Sequence, residues 1–308
     1  TYYRGNARGV AKTHQAVLAV HAQSWSPQEV ADWAAWQDEP LRAAAHPVAV
    51  LESRAFGPLH PYDPDRFPAD EKALDNAFRG IELQPLETDV YGCMDWGDLH
   101  SQWNKAKGEW DRQYRYWLNN ESTYDATTIS LWMQYARTGR RANFKLCERR
   151  TSHLMDVDTC HYSVNQPPHF DGGDPQNHVQ VVGLQHRHAE HHWSGGCMAH
   201  HTLYDDIVAY YQLTGRHRAL DVIREAAANF KTYRPGAENE ERGISVPFRL
   251  SGDLYWHTWD PDYWRLAVEL HDLLTTYSRP NLYGQYGYMR YWLMTGDRRY
   301  GLEWLRCS

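Results

Sequence analysis

The densest run of chemistry-bearing side chains lies at residues 186–201, which hold His186, His188, Glu190, His191, His192, Trp193, His200 and His201. Imidazoles titrate near neutral pH, so they transfer protons and meet carboxylates. Gly195 and Gly196 let backbone come close to a ligand. Three readings stand side by side: an acid–base and anion-binding wall, a metal site, and a His-rich surface loop. For a metal, His188, Glu190 and His191 supply three ligands, with zinc or calcium the candidate ions. No HExxH run is present, so the spacing is not specific to zinc and no cofactor is required.

Three further clusters obey the same logic. Asn119-Asn120-Glu121 reads either as a helix cap and turn or as an amide donating to a substrate carboxylate, with Glu121 holding it. Arg249, Asp253, Tyr255, Trp256, His257 and Trp259 read as a glycine-containing loop. A guanidinium beside a phenol favours the phenolate, which makes Tyr255 a candidate base. Tyr91-Gly-Cys-Met-Asp95-Trp96-Gly-Asp98 reads as a tight loop that binds sugar or caps a helix. Asp95 and Asp98 are also a candidate carboxylate pair for an inverting glycosidase.

These groups need elements to hold them. Residues 10–21 alternate with period two and predict a strand, the end of a β-domain over 1–25. Ser26-Pro27-Gln28-Glu29 is a capping box that opens a helix running to about Ala45. Residues 46–70 are proline-rich and read as a wrapping loop, within a segment 26–100 of helix and loops. From 101 to 308 the apolar spacing predicts amphipathic helices over 101–118, 126–137, 203–213, 217–233 and 262–277.

Tyr135-x-x-Thr138-Gly139-Arg140 recurs as Tyr211-x-x-Thr214-Gly215-Arg216 and Trp292-x-x-Thr295-Gly296-Asp297. A glycine closing one helix shortly before the next is a left-handed cap. Repeated helical hairpins stack into a solenoid or close into a toroid. The expected fold class is mainly α: an incomplete or open α/α toroid with a short N-terminal β segment. The chain opens at Thr1 and stops after a helix-like stretch, which reads as a fragment or a processed chain.

Composition narrows the partners. A net charge of −7 lacks the basic footprint of a nucleic-acid binder. No apolar stretch is long enough to span a membrane. Fourteen Trp, 21 Tyr and 18 His suit the faces of sugars. Arg137, Arg140, Arg141, Arg149 and Arg150 offer local positive charge or simply a solvated helix face. Five cysteines without a CxxC pair do not make a disulfide scaffold; one bridge and free buried thiols are both open.

In order along the chain, YGCMDWGD, WLNNESTYDA, HAEHHW and His201-Thr202 leading to Tyr210-Tyr211-Gln212-Leu213-Thr214-Gly215 resemble α/α-toroid polysaccharide lyases. The nearest resemblance is to exo-rhamnogalacturonan-lyase-like proteins and the related alginate and glucuronan lyases. It covers roughly residues 8–300 and departs in length, lacking a full preceding β-sandwich and a closing part. The missing remainder of the same chain is therefore an expected partner, beside a polysaccharide substrate.

The resemblance implies β-elimination on a uronate glycan. Asn120, a histidine of the cluster and Arg249 match the type of residue that neutralises the carboxylate; Tyr255 and a histidine match the base and the acid. Position in the family's order favours His201 and His192. Asn119, Glu121, Trp96, Asp98, His188, His191, His200, His257 and Trp259 are the implied substrate contacts. A polymer-degrading enzyme is expected outside the cell or in the periplasm. An inverting glycosidase using Asp95, Asp98 or Glu121, and a non-catalytic glycan binder, are the alternatives.

Overall fold

A computed structural model describes residues 9–88, 96–97, 103–110, 127–162, 181–186, 197–231, 241–276 and 284–307. Its framework is a series of helical hairpins. Helix α4 (Thr127–Thr138) pairs with α5 (Arg141–His153), α6 (Asp205–Thr214) with α7 (His217–Phe230), α8 (Glu241–Thr258) with α9 (Pro261–Leu274), and α10 (Gln285–Thr295) with α11 (Arg298–Cys307).

The first helix of each pair lines the inside, and these inner helices run parallel. Trp132 of α4 meets the Tyr210 ring of α6 at 5.6 Å. Asp205 and Tyr211 of α6 meet Arg249 and His257 of α8 in the same order. Phe248 and Asp253 of α8 meet Tyr288 and Arg290 of α10, again in order. Parallel inner helices with antiparallel outer ones are the architecture of an α/α toroid.

One end of this ring is made of short turns, the other of long connections. At the short end the repeated motif has one geometry in every copy. The amides of Gly139, Gly215 and Gly296 donate to the carbonyls of Tyr135, Tyr211 and Trp292 at 2.7–2.8 Å. The hydroxyls of Thr138, Thr214 and Thr295 donate to carbonyls four residues back. Each hydroxyl then accepts from the amide that opens the next helix.

A fourth copy is present at Tyr255-Trp256-His257-Thr258-Trp259-Asp260, with the same three bonds at 2.7, 2.7 and 3.2 Å. Here a tryptophan occupies the left-handed position, with φ +57°, where the other copies have glycine. A motif defined by its glycine does not reveal this copy.

Before the hairpins come α1 (Pro27–Asp38), α2 (Pro47–Glu52) and α3 (Pro68–Thr88). The Ser26–Glu29 capping box forms as its residues predict. Helix α3 flanks the outer layer, with Glu71 paired to Arg137 and Asp75 to Arg140 at 2.5 Å. Segment 47–59 crosses the short end. Pro47 lies against Gly139 of the first turn, and Gly57 against Met289 and Leu293 of α10.

Several expected elements differ. No strand forms over 9–25; Gly9 and Ala11 bond to His161 and Asp156, while Leu18 and Val20 stand exposed. Alternation without a neighbouring strand to pair with does not make a sheet. Within the predicted helix 101–118, the described residues form a hairpin of β1 (Trp103–Asn104) and β2 (Glu109–Trp110) around Gly108 at φ +67°. The proline-rich stretch 46–70 contains α2 and starts α3, because Pro47 and Pro68 stand at helix N-termini. The segment holding Arg249 and Tyr255 is helix α8 rather than a loop.

The core fills the space between the layers. Trp132, Tyr204, Phe248, Leu254, Leu270 and Tyr291 are buried there. Trp132 also donates its indole N–H to Thr151 at 3.0 Å, so its one polar atom is satisfied. Cys147, Cys160, Cys197 and Cys307 are buried; Cys93 lies outside the described residues.

Candidate active site at the long-connection end

The N-termini of α6, α8 and α10 gather at the end with long connections. The short ladder of β3 (Gln185–His186) and β4 (Cys197–Met198) leads into a 3-10 turn, Ala199–His201. Gln185 anchors the chain just beyond this turn. Its side-chain amide donates to the Leu203 carbonyl at 2.7 Å, and its carbonyl oxygen accepts from the Leu203 amide at 2.9 Å. Its own amide donates to the Thr202 hydroxyl. His201 is thereby held fully buried against α8, with the His200 ring 4.5 Å away.

Four residues on, α6 opens with Asp205 and Asp206, both buried. A helix N-terminus favours negative charge. Asp205 pairs with Arg249, and Asp253, one turn further along α8, pairs with Arg290 of α10. The two guanidinium groups lie 4.9 Å from the Tyr286 ring centroid, and Arg290 donates to the Tyr286 hydroxyl at 2.6 Å. Burial pushes the Asp206 carboxyl up to about 8, with the Asp205 charge adding to it. Burial likewise pushes Asp253 up to about 7, against the pull of Arg290. The result is a dry, charge-dense cluster joining α6, α8 and α10.

A model of the PcRGLX-like protein C-terminal alpha/alpha toroid domain matches residues 40–242, two thirds of the chain. The chain belongs to this family. The uncharacterized protein YetA of Bacillus subtilis (strain 168) is 27% identical over 232 residues, which cover 72% of this chain and 24% of YetA. The chain thus spans about a quarter of that relative's length. The helical pairs of this PcRGLX-like toroid continue past the matched region to Cys307.

The structure of this PcRGLX-like domain brings some of the predicted residues together and separates others. His200, His201 and Arg249 share the long-connection end. Trp96 sits at that end too, since its carbonyl lies 3.2 Å from His153 Nδ1 and Arg149 stacks over its ring at 5.1 Å. Tyr255, His257 and Trp259 are at the other end of α8, by the fourth short turn. Six helical residues, ~9 Å of rise, separate Tyr255 from Arg249. Tyr255 packs against Trp259 and Trp264 at 5.6 and 5.3 Å. The tyrosine beside Arg249 is Tyr286, and there burial wins and raises the phenol. The expected meeting of Arg249 with Tyr255 therefore does not form.

Asn119, Asn120, Glu121, Asp95, Asp98, His188, Glu190, His191 and His192 lie outside the described residues. Among the described residues no three His, Cys, Asp or Glu side chains group to hold a metal, and no helix is long and apolar enough to cross a membrane. The five arginines are mostly engaged: Arg137, Arg140 and Arg141 pair with Glu71, Asp75 and Glu39, and Arg150 is buried.

Sequence reasoning missed Asp205, Asp206, Tyr286 and Arg290. The available signal was two adjacent carboxylates inside the apolar run Leu203–Tyr211, where buried charge demands partners elsewhere in the chain.

Proposed function

We propose that this toroid is the catalytic part of a carbohydrate-active enzyme, a polysaccharide lyase that cleaves a uronate-containing glycan by β-elimination. The observation that carries this reading is the turn Ala199–His201 packed on α8, whose Arg249 pairs with Asp205, with Gln185 fixing residues 202 and 203 just beyond it. In such a reaction the substrate carboxylate is held and neutralised, which acidifies the C5 proton. A base takes that proton, the C5 electrons form the C4–C5 double bond, and the O4 bond breaks. An acid protonates the leaving O4.

His201 and His192 are the base and acid of this proposal, and Asn120 is the amide that meets the carboxylate. Arg249 is committed to Asp205, so it acts through the field it sets rather than by touching substrate. The base role assigned by type to Tyr255 passes to His201. Asn119, Glu121, Trp96, Asp98, His188, His191 and His200 are the proposed substrate contacts. A glycan-degrading enzyme of this kind works outside the cell or in the periplasm.

The test is incubation of the protein with alginate, glucuronan and rhamnogalacturonan, following the ultraviolet absorbance of the unsaturated product. A rise that is lost in His201→Ala is expected. Reducing sugar released without unsaturation would identify a hydrolase instead; binding with no product of either kind would identify a non-catalytic glycan binder.

A further inference from the structure

The short-turn end, opposite His201, holds a cavity of about 730 Å³. Volumes of roughly 300–1,000 Å³ are those of small-molecule sites. Segment 42–50 forms one wall, and the first two repeat turns form the other. Its lining includes Arg42, Arg141, Arg216, Tyr135, Phe144 and Gln212.

The charges do not balance. Glu148 accepts from Arg42 at 2.8 Å and from the Tyr210 hydroxyl at 2.8 Å. Arg216 stands 3.9 Å from the same carboxylate, beyond hydrogen-bond reach, with its side chain 41% exposed. Arg141 pairs with Glu39, which also takes Lys145. Four cations thus share two carboxylates, and Arg216 turns its surplus charge to the cavity.

We propose that this cavity binds a carboxylated saccharide, one uronate unit of a glycan, at a site separate from the elimination chemistry. A guanidinium fork matches a carboxylate with two parallel hydrogen bonds. The half-buried Tyr135 ring offers an apolar surface to the C–H face of a sugar, Phe144 lies beneath the Arg42 guanidinium, and the exposed Gln212 offers an amide to sugar hydroxyls. Inorganic phosphate shares the anion chemistry but has no apolar face to bury. The choice of a saccharide to carry the carboxylate rests on the function proposed above.

Calorimetric titration of the full chain with a uronate disaccharide, a neutral disaccharide and inorganic phosphate tests the site. The uronate is expected to bind, Arg216→Ala to weaken it at least tenfold, and Arg216→Lys to recover part of the loss. Arg141→Ala, which removes a guanidinium already held by Glu39, is expected to weaken it about threefold, and decides the matter if Arg216→Ala fails to fold. Equal binding by wild type and both alanine variants overturns the site, as does the absence of millimolar uronate binding. Phosphate or the neutral sugar binding as tightly overturns the saccharide-acid assignment. Unsaturated product with binding indifferent to Arg216 sinks this site and leaves the lyase reading. Binding dependent on Arg216 with no product from any polyuronate does the reverse.

Discussion

Arg249, midway along α8, pairs with Asp205 at the first position of α6, and both are almost entirely buried. This contact ties the segment carrying His201 to the neighbouring inner helix. Breaking a buried pair from one side leaves an uncompensated charge and costs ~3–5 kcal/mol. Arg249→Met is therefore expected to lower the denaturant midpoint strongly, the more so because Asp206 stands beside Asp205. The double variant Arg249→Met/Asp205→Leu is expected to recover much of that loss. If the double variant is as unstable as the single one, the pair is not what holds this junction.

Asp206 gives the pH dependence of folding. Its carboxyl is raised to about 8 in the folded protein by burial. Below about pH 4 folded and unfolded forms both keep this proton. Above that, the unfolded chain releases it while the folded protein retains it, so stability falls as pH rises and the fall ends near 8. Asp253, raised to about 7, acts in the same direction. The slope from Asp206 is at most about 1.4 kcal/mol per pH unit. Thermal melting between pH 5 and 8 is expected to decline more steeply in wild type than in Asp206→Asn; identical slopes would refute the assignment.

Trp259 takes a left-handed conformation that glycine takes at the three equivalent turns, and it is 66% exposed. A bulky residue there carries ~1–2 kcal/mol of strain. Glycine would remove it but lose ~0.4–1 kcal/mol through the freer unfolded chain. Trp259→Gly is thus expected to raise stability by about 0.5–1 kcal/mol, measured by chemical denaturation. A variant less stable than wild type by a kcal/mol would show that packing on Tyr255 and Trp256 outweighs the strain.

The hairpins are legible in the sequence because their chemistry is local. Capping at Ser26, the Thr-Gly turns and apolar spacing over 127–138, 205–214, 217–230 and 261–274 each act within one helix or turn. The short N-terminal run misleads because alternation specifies a strand only where a partner edge exists. The candidate site is half legible. Residue type draws attention to His201 and Arg249, but Asp205 and Tyr286 reach Arg249 from the neighbouring helices, and Arg290 reaches Tyr286, with no short spacing to Arg249 to betray it. Tyr255 and Arg249 look adjacent in sequence, yet helical geometry puts them on different turns, Tyr255 by the short-turn end and Arg249 level with the start of α6.

That separation yields the sharpest functional expectation. Positioned proton transfer contributes ~10²–10⁴ in rate. His201→Ala should remove about that much elimination activity and melt below wild type, because the imidazole is fully buried, while the Gln185 bonds to residues 202 and 203 keep the segment in place. Tyr255→Phe changes only a hydroxyl beside Trp259 and Trp264 at the short-turn end. It should leave turnover on the same polyuronate within a few-fold of wild type. Loss of product formation in Tyr255→Phe with full activity in His201→Ala would reverse the assignment and move the chemistry to the other mouth of the ring.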